Sequence, residues 1–257
     1  MSMARRYINY RRQAKNRHGV HSPFVYDLIE KVFKPKGWQN REAIKSLRKE
    51  LLRDHSQISI NDLGAGSRVD NGASRKVSKL VKVSATPLKE AGLLQRLVDF
   101  LGCKSILELG TNLGITTAVL ASAKCKPHVV SIEGAPKLAE RAVKNLEKLN
   151  LNVQIISGSF EEKLALALGD LEKVDMAYID GNHRKEPTLA YFNEISQKIH
   201  NDSVIVVGDI HWSDEMEEAW EEIKKNALVR VTVDIFDVGL VFFRREMTPE
   251  HFTIYYS

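Results

Sequence analysis

The spacing of apolar residues becomes regular in the second half of the chain. Five short apolar runs, each followed by a segment with helical spacing of apolar positions, predict five strand–helix units. Two further strands, about 228–235 and 238–244, follow without an intervening helix and predict an antiparallel hairpin. The pattern predicts an α/β fold with a doubly wound, mainly parallel sheet and helices on both faces. The five predicted strands are 105–109, 128–133, 153–157, 174–179 and 203–208, and their helices are 115–124, 136–149, 160–168, 187–199 and 214–225.

The N-terminal third has helical patterns and few strand signals. Ser22 before Pro23 predicts a helix start, with Pro23 at the first helical position and an apolar face as far as Phe33. The sequence thus predicts a helical N-terminal extension, or cap, over residues 1–85 and a main domain over 86–257. The other helices predicted in this third and just after it are a basic arm within 1–18, a charged helix over 40–53, a basic helix from Ser74 and a helix over 87–101.

Charge is divided unevenly along the chain. The formal net charge of +5 combines about +13 over residues 1–89 with about −8 over residues 90–257. A basic N-terminal region of this kind indicates either contact with a polyanion such as nucleic acid or a solvated extension that docks on the acidic domain. Aromatic residues are not interleaved with the basic ones as a base-stacking surface requires, which favours docking.

The remaining composition is that of a globular protein in a reducing compartment. Apolar residues make up 43% of the chain, and no apolar run approaches the roughly 20 residues of a membrane span. The Met-Ser-Met-Ala-Arg-Arg start lacks the apolar core of a secretory signal, and Cys103 and Cys125 have no metal-type spacing. We therefore expect a cytoplasmic protein without a membrane partner.

The first predicted strand leads into a glycine-bearing turn and then a helix. Gly110-Thr111-Asn112-Leu-Gly114 separates the two, an arrangement that presents unpaired N–H groups to a ligand. Glu133 ends the second strand, 25 residues after Glu108, and is placed to accept both hydroxyls of a ribose. The second glycine of a dinucleotide loop is missing and no P-loop lysine follows, so the pattern favours an adenosine ligand without a pyrophosphate.

Residues 60–67, Ile-Asn-Asp-Leu-Gly-Ala-Gly-Ser, also look like a nucleotide-binding loop, but the residues that follow them differ from those after Gly114. A polar turn follows it, and no second strand ending in an acid lies at the required distance. We therefore expect a loop there.

Polar residues also end the later strands of the predicted sheet, where ligands of open parallel sheets bind. Among them, His183 is our first choice as a general base because a free imidazole titrates near neutrality. Each histidine has an alternative role as a loop residue that satisfies backbone groups, and His211 stands just before a predicted helix cap at Ser213. The strand ends carry Gly134 beside Glu133, Ser159-Phe160, Asp180-Gly-Asn-His183 and Gly208-Asp209-Ile-His211.

Over residues 86–245 the chain resembles class I S-adenosylmethionine-dependent methyltransferases. The resemblance rests on three features: the motif Glu108-x-Gly110-x-x-x-Gly114, the acid Glu133 and the run Tyr-Ile-Asp-Gly-Asn-His at 178–183. The likeness is greatest to small-molecule O-methyltransferases of the catechol O-methyltransferase-like and cephalosporin-hydroxylase-like branch. It implies a Rossmann-like seven-stranded sheet in the order 3-2-1-4-5-7-6 with strand 7 antiparallel. It also implies that the methyl donor is held by Glu108, Gly110, Thr111, Asn112, Gly114, Glu133, Gly134, Ser159, Phe160 and Asp180.

The resemblance further implies that Asp180 and Asp209 bind a divalent cation such as Mg²⁺, which orients the acceptor hydroxyl. The usual third ligand, an amide, is replaced here by Ile210, so metal dependence stays open unless His183, His211, water or substrate completes the site. Asp180, His183, Asp209 and His211 are the candidate catalytic residues.

The expected function is methyl transfer from S-adenosylmethionine to a small molecule, at a hydroxyl oxygen. An RNA or protein methyltransferase that docks through the basic arm is one alternative, although no Asn-Pro-Pro-Tyr-type loop follows the fourth strand. A non-catalytic adenosine-binding module is the other. The sequence leaves the oligomeric state open, a homodimer included.

Overall fold

The computed structural model describes residues 1–34, 37–59 and 74–256. The motif at 60–67 therefore lies outside the described residues. The chain divides into two compact units, one made of Met1–Lys34 and Glu172–Ser257 and the other of Pro35–Leu171. Each unit combines a stretch of the N-terminal third with part of the α/β region.

Helices and strands alternate from Ser105 to Lys225, and three strands follow one another after that. The α-helices are α1 (Met3–Gln13), α2 (Pro23–Leu28), α3 (Arg41–Arg53), α4 (Val77–Ser84), α5 (Leu88–Leu101), α6 (Ile115–Ala121), α7 (Pro136–Lys148), α8 (Phe160–Gly169), α9 (Lys185–Ile195) and α10 (Asp214–Lys225). The strands are β1 (Gln57–Ser59), β2 (Ser74–Lys76), β3 (Ser105–Leu109), β4 (His128–Glu133), β5 (Gln154–Ser157), β6 (Met176–Ile179), β7 (Val204–Gly208), β8 (Val231–Asp234), β9 (Val238–Phe242) and β10 (Glu250–Thr253). Strands β3 to β5 pair within one unit, and strands β6 to β10 pair within the other.

The unit of residues 35–171 contains three parallel strands in the order β3-β4-β5. This is the predicted 3-2-1 half of the sheet, with Leu109 opposite Ile132 and Ile132 opposite Ile156. The strands β3 and β4 are buried almost throughout, as expected for parallel strands covered on both faces. Helices α3, α4, α6 and α7 contribute to the core of this unit, which includes Ile44, Leu47, Leu51, Leu80, Val81, Ala118, Val119, Leu138 and Leu146.

A small antiparallel sheet of β1 and β2 was not predicted. Gln57 pairs with Lys76 and Ser59 with Ser74, so the predicted basic helix begins at Val77 rather than at Ser74. The short, polar strands lack the apolar alternation that marks a strand in a sequence, because their stability comes from pairing with each other.

The unit of residues 1–34 and 172–257 contains five strands in the order β6-β7-β9-β8-β10. The first four reproduce the predicted 4-5-7-6 half, since β6 and β7 are parallel and β9 is antiparallel to both β7 and β8. The predicted hairpin is confirmed. However, β10 pairs in parallel with β8, with Phe252 opposite Val233, so β8 is not the edge strand of this unit. The apolar spacing does not predict β10, because only one of its four side chains is buried.

The N-terminal arm packs within this same unit. Tyr10 donates a hydrogen bond from its hydroxyl to the carbonyl of Ile254 at 2.5 Å, and Lys15 forms an isolated parallel bridge with Ile254. Arg6 is 3% exposed and forms ion pairs with Asp214 and Glu217 on α10. Part of the basic charge of the arm is thus paired with acids of the α/β region.

The predicted helix start after Ser22 is present. The Ser22 hydroxyl accepts a hydrogen bond from the backbone N–H of Val25, and Pro23 occupies the first turn of α2. The helical path continues to Phe33 as a π-helical turn over Ile29–Phe33.

The sequence predicts no membrane-spanning segment, and the helices of the structure can be compared with that prediction by their length and hydropathy. Among the helices in the described ranges, none is both long enough and apolar enough to traverse a bilayer.

Candidate functional site

The loop after β3 is a tight turn with several left-handed residues. Gly110, Asn112 and Gly114 have φ angles of 108°, 50° and 76°. A Cβ added to Gly114 would approach the Cβ of Ala142 to 3.3 Å, so both the backbone angle and the closeness of α7 favour glycine. Gly110 donates its N–H to the carbonyl of Ile132 at 3.0 Å, which ties the loop to the end of β4. The predicted loop is thus held in one defined shape.

Glu133 joins this loop to the strand that follows it in the sheet. One carboxylate oxygen accepts the backbone N–H of Asn112 at 2.7 Å, and the other accepts the N–H of Ala135 at 2.9 Å. The side chain is 8% exposed. Two charge-assisted hydrogen bonds fix the carboxylate at the end of β4.

Glu108 lies beneath the loop and is fully buried. Its Oε2 accepts hydrogen bonds from Thr117 Oγ1 at 2.5 Å and from Ser131 Oγ at 2.6 Å. Ser131 Oγ is also 2.6 Å from Thr111 Oγ1, so a chain of hydroxyls connects the carboxylate to the loop. The structure therefore gives Glu108 a supporting role on the loop residue Thr111.

Thr117 and Ser131 belong to this network but are not among the predicted site residues. Ser131 is a polar residue inside the otherwise apolar run of β4, and Thr117 lies in the first turn of α6 directly after the loop. A polar residue in a buried strand needs a partner, so Ser131 was the available signal.

The remaining residues predicted to contact the donor lie at the ends of β4 and β5. Gly134 follows Glu133 and is half-buried, and Ser159 is the N-cap of α8, accepting the N–H of Glu162 at 3.3 Å. Phe160, the first residue of α8, is also half-buried. In the unit of residues 35–171, the described residues thus offer a shaped loop, a fixed carboxylate and a partly exposed aromatic ring, which suit an adenosine ligand.

A second cluster of polar residues lies in the other unit. Asp180, His183 and Asp209 each offer one ligand atom, and these three atoms lie within 4.8 Å of one another. His183 Nε2 is 3.4 Å from Asp209 Oδ2. The pairing of β6 and β7, which sets Ile179 opposite Val207, brings the two strand ends together. The structure therefore brings together three of the four predicted catalytic residues.

Local backbone features give this cluster its shape. Asn182 and Asp209 have φ angles of 61° and 55°, which L-residues other than Asn and Asp rarely adopt. Asn182 donates from its side-chain amide to the hydroxyl of Tyr191 at 2.9 Å, which holds the turn before His183. A Cβ on Gly208 would lie 2.8 Å from Asp180 Oδ1, so glycine leaves room for that carboxylate.

The cluster perturbs the acid–base behaviour of Asp209. Burial raises the pKa of Asp209 above its ordinary value, the nearby His183 acts in the opposite direction, and the Asp180 carboxylate adds to the rise. Two carboxylates at close range favour a bound proton or cation between them.

The donor set fits a divalent cation in kind and number. Two carboxylates and one imidazole are common ligands of divalent metals, whereas the side chain of Ile210 is fully buried and has no ligand atom. Asp180, His183 and Asp209 are thus the residues that would hold such an ion, and water or substrate oxygens would complete its coordination.

His211 belongs to a separate arrangement. Its Nδ1 is 2.8 Å from Glu217 Oε1, and its Nε2 is 2.9 Å from Asp234 Oδ2, so both ring nitrogens face carboxylates. Burial alone would lower the pKa of His211, but hydrogen bonds and charge from Asp234 and Glu217 outweigh it and raise the pKa. The ring also stacks on Phe236 with centroids 5.2 Å apart. These contacts indicate a structural role in anchoring α10 to β8.

Comparison with known proteins supports the fold and the family resemblance. Residues 107–210 match the sequence family described as "Methyltransferase domain". No curated protein sequence matches the chain. Several solved structures share the fold at low sequence identity.

An O-methyltransferase from Bacillus cereus, solved in complex with SAH, is 21% identical with a TM-score of 0.56, and the match covers 85% of this chain and 97% of that one. The O-methyltransferase TomG from Streptomyces achromogenes, involved in tomaymycin synthesis and solved with SAM, is 20% identical with a TM-score of 0.55, covering 63% and 82%. A putative caffeoyl-CoA O-methyltransferase from Staphylococcus aureus is 19% identical with a TM-score of 0.57, covering 65% and 88%. These matches confirm the predicted Rossmann-like methyltransferase fold.

Proposed function

We propose that this chain, which carries a methyltransferase domain over residues 107–210, transfers a methyl group from S-adenosylmethionine to a hydroxyl oxygen of a small molecule. The observation that carries the proposal is the carboxylate of Glu133. It is fixed at the end of β4 by the N–H groups of Asn112 and Ala135, where a class I methyltransferase binds the ribose of its donor.

The donor side of the reaction is assigned to the unit of residues 35–171. When bound, S-adenosylmethionine supplies an electrophilic methyl group on a positively charged sulfur. The loop from Gly110 to Gly114 would hold the donor, and Glu108 supports that loop through Ser131 and Thr111. Glu133 would accept hydrogen bonds from the ribose hydroxyls, and Phe160 would bind the adenine. These residues bind and orient the donor rather than take part in bond making, as suits a displacement that depends on alignment.

The acceptor side is assigned to Asp180, His183 and Asp209. A hydroxyl is a weak nucleophile until its proton is removed or its acidity is increased. The three side chains offer basic atoms within 4.8 Å of one another, and the side chains of His183 and Asp209 are 25% and 42% exposed. An acceptor hydroxyl can therefore reach these atoms and lose its proton to the cluster. A divalent cation held there would further increase the acidity of the hydroxyl.

Structural neighbours described as O-methyltransferases support oxygen as the acceptor atom. The ion pairs of Arg6 with Asp214 and Glu217 support docking of the basic arm within the protein rather than on RNA. The division into a cap of residues 1–85 and a domain of 86–257 stays a prediction, as does cytoplasmic location.

The experiment is methyl transfer from S-adenosylmethionine labelled on its methyl group into an extract of the source cells. The products are separated into small-molecule, RNA and protein fractions. We expect label in the small-molecule fraction, in a product whose methyl group is lost under conditions that cleave methyl ethers or esters. Label confined to RNA or protein would show that the acceptor is a macromolecule and would contradict a small-molecule acceptor. No transfer, together with tight binding of the donor, would favour a non-catalytic binding module.

Two variants show whether the acceptor cluster takes part in the transfer, one as the test and the other as its control. Asp180→Asn removes one carboxylate of the acceptor cluster, and we expect it to abolish most of the transfer while the donor still binds. Glu140→Ala removes an exposed acid that pairs with Lys137 three residues earlier, and we expect unchanged transfer. Equal activity of wild type and Asp180→Asn would exclude the cluster from the reaction.

A further inference from the structure

The cluster of Asp180, His183 and Asp209 differs from the donor set that the resemblance implies. There, two acids are completed by an amide in the position directly after the second acid. Here that position is Ile210, whose side chain is fully buried and cannot ligate a metal. A third donor atom nonetheless lies beside the two carboxylates, and it is a ring nitrogen of His183.

We propose that Asp180, His183 and Asp209 form a divalent cation site in which the His183 imidazole is the third protein ligand, and that this site selects Mn²⁺, Fe²⁺ or Co²⁺ over Mg²⁺. The proposal deepens the proposed function, because the site is the acceptor cluster described above. It also assigns His183 to the metal instead of to the role of general base.

The distances are compatible with coordination by all three residues. Two ligand atoms that bind one ion at right angles, each about 2.1 Å from it, are about 3.0 Å apart. His183 Nε2 and Asp209 Oδ2 are 3.4 Å apart, and the widest spacing among the three ligand atoms is below 4.8 Å. The His183–Asp209 spacing is within about 0.4 Å of that value, and rotation about the side-chain torsions would bring the three atoms onto one ion.

Neighbouring residues hold the ligand atoms of Asp180, His183 and Asp209 close to one another. Gly208 leaves the space that Asp180 Oδ1 occupies, since a Cβ there would lie 2.8 Å from that oxygen. Asn182, held by Tyr191, shapes the turn that carries His183. The part-exposed side chains of His183 and Asp209 leave the remaining coordination positions accessible to water or an acceptor hydroxyl.

The preference among metals follows from the ligand types. Mg²⁺ is a hard ion that favours oxygen ligands, whereas first-row transition ions bind imidazole nitrogen well, and their affinity increases from Mn²⁺ to Co²⁺. Replacing an amide oxygen by an imidazole nitrogen therefore weakens the site for Mg²⁺ relative to these ions.

The test is metal binding to the purified, untagged protein without methyl donor. Calorimetry with Mn²⁺, Co²⁺ and Mg²⁺ measures the affinities, and pulsed electron paramagnetic resonance of bound Mn²⁺ detects coupling to ¹⁴N. We expect one Mn²⁺ or Co²⁺ per chain, bound at least about 10-fold more tightly than Mg²⁺, with a ¹⁴N coupling from one imidazole. His183→Gln should lose that coupling and weaken Co²⁺ binding by at least about 10-fold, since even partners that only orient metal ligands contribute that much.

His200→Gln is the matched control. His200 Nε2 also faces a carboxylate, Asp175 Oδ1, at 2.7 Å, and it lies outside the three-residue metal cluster. We expect this variant to bind metal like the wild type. Absence of cation binding by the wild type, bound Mn²⁺ without ¹⁴N coupling, or equal Co²⁺ affinity in His183→Gln would overturn the proposal.

The metal assay is independent of catalysis, so the two proposals can fail separately. A wild-type protein that binds S-adenosylhomocysteine but no cation would refute the metal site and leave the methyltransferase assignment intact. A protein that binds Mn²⁺ with ¹⁴N coupling but neither binds nor uses the methyl donor would refute the methyltransferase assignment and support the metal site.

Discussion

The buried carboxylate of Glu108 gives a quantitative prediction about the support of the glycine loop. Thr117→Val removes a hydroxyl that donates to Glu108 Oε2 at 2.5 Å, in a place where both residues are fully buried. A hydrogen bond to a charged group contributes about 1.5–3 kcal/mol to stability, compared with about 0.5–1.5 kcal/mol for a neutral pair. We therefore expect the variant to lose about 2 kcal/mol of unfolding free energy, or about 4–8 °C in Tm for a chain of this size.

The neighbouring residue provides a matched control. Thr116 Oγ1 donates to Thr86 Oγ1 at 2.9 Å, also in a buried place, but both groups are neutral. Thr116→Val should cost about 1 kcal/mol, roughly half as much. Urea unfolding followed by circular dichroism, with Tm from calorimetry, gives both differences. A Thr117→Val variant no less stable than Thr116→Val would show that Glu108 is not held as a carboxylate, and the reasoning about the loop would be wrong.

Two further predictions concern α10. The pKa of His211 is raised in the folded protein, so its charged contacts with Asp234 and Glu217 stabilise the fold below the unfolded pKa of about 6.5 and are lost as the pH rises through the folded pKa. His211→Asn should therefore be most destabilising near pH 5.5 and less so at pH 8.5 in urea titrations; a pH-independent difference would contradict the ionic contacts. A Cβ on Gly239 would lie 2.6 Å from the ring of Trp220, so Gly239→Ala should lower the unfolding free energy by about 1–3 kcal/mol through overpacking. An unchanged urea midpoint would show that the ring moves aside freely.

The parallel strands were predictable because each is a short apolar run next to a helix-patterned segment. Predicted and observed bounds agree at 105–109 and 128–133, where a polar or glycine-bearing turn follows directly. Helix ends were less accurate: α9 begins at Lys185 and ends at Ile195, against a prediction of 187–199. Terminal turns depend on local capping, which apolar spacing does not report.

Elements stabilised mainly by partners distant in the chain could not be predicted from local pattern. Strand β10 is short and mostly exposed, and it exists because β8 offers it an edge. Strands β1 and β2 likewise depend on each other across a long connection. Local periodicity carries no information about such pairings.

The site was predictable to the extent that it follows strand ends. Asp180 and Asp209 meet because β6 and β7 are parallel neighbours, and His183 joins them through the turn at Asn182. His211 follows the same strand end as Asp209, but Glu217 and Asp234 bind both of its ring nitrogens. Which of two nearby histidines joins the cluster is decided by these tertiary contacts.

The central claim is that Glu133 helps the loop after β3 to bind a methyl donor. Its most direct test is calorimetric titration of the wild type, Glu133→Ala and the surface control Glu140→Ala with S-adenosylhomocysteine. Two hydrogen bonds from ribose hydroxyls to a carboxylate, at about 1.5 kcal/mol each, correspond to about 100-fold in Kd. We predict that wild type and Glu140→Ala bind alike and that a folded Glu133→Ala binds at least about 100-fold more weakly. No binding to the wild type, or equal affinity in Glu133→Ala, would contradict the account.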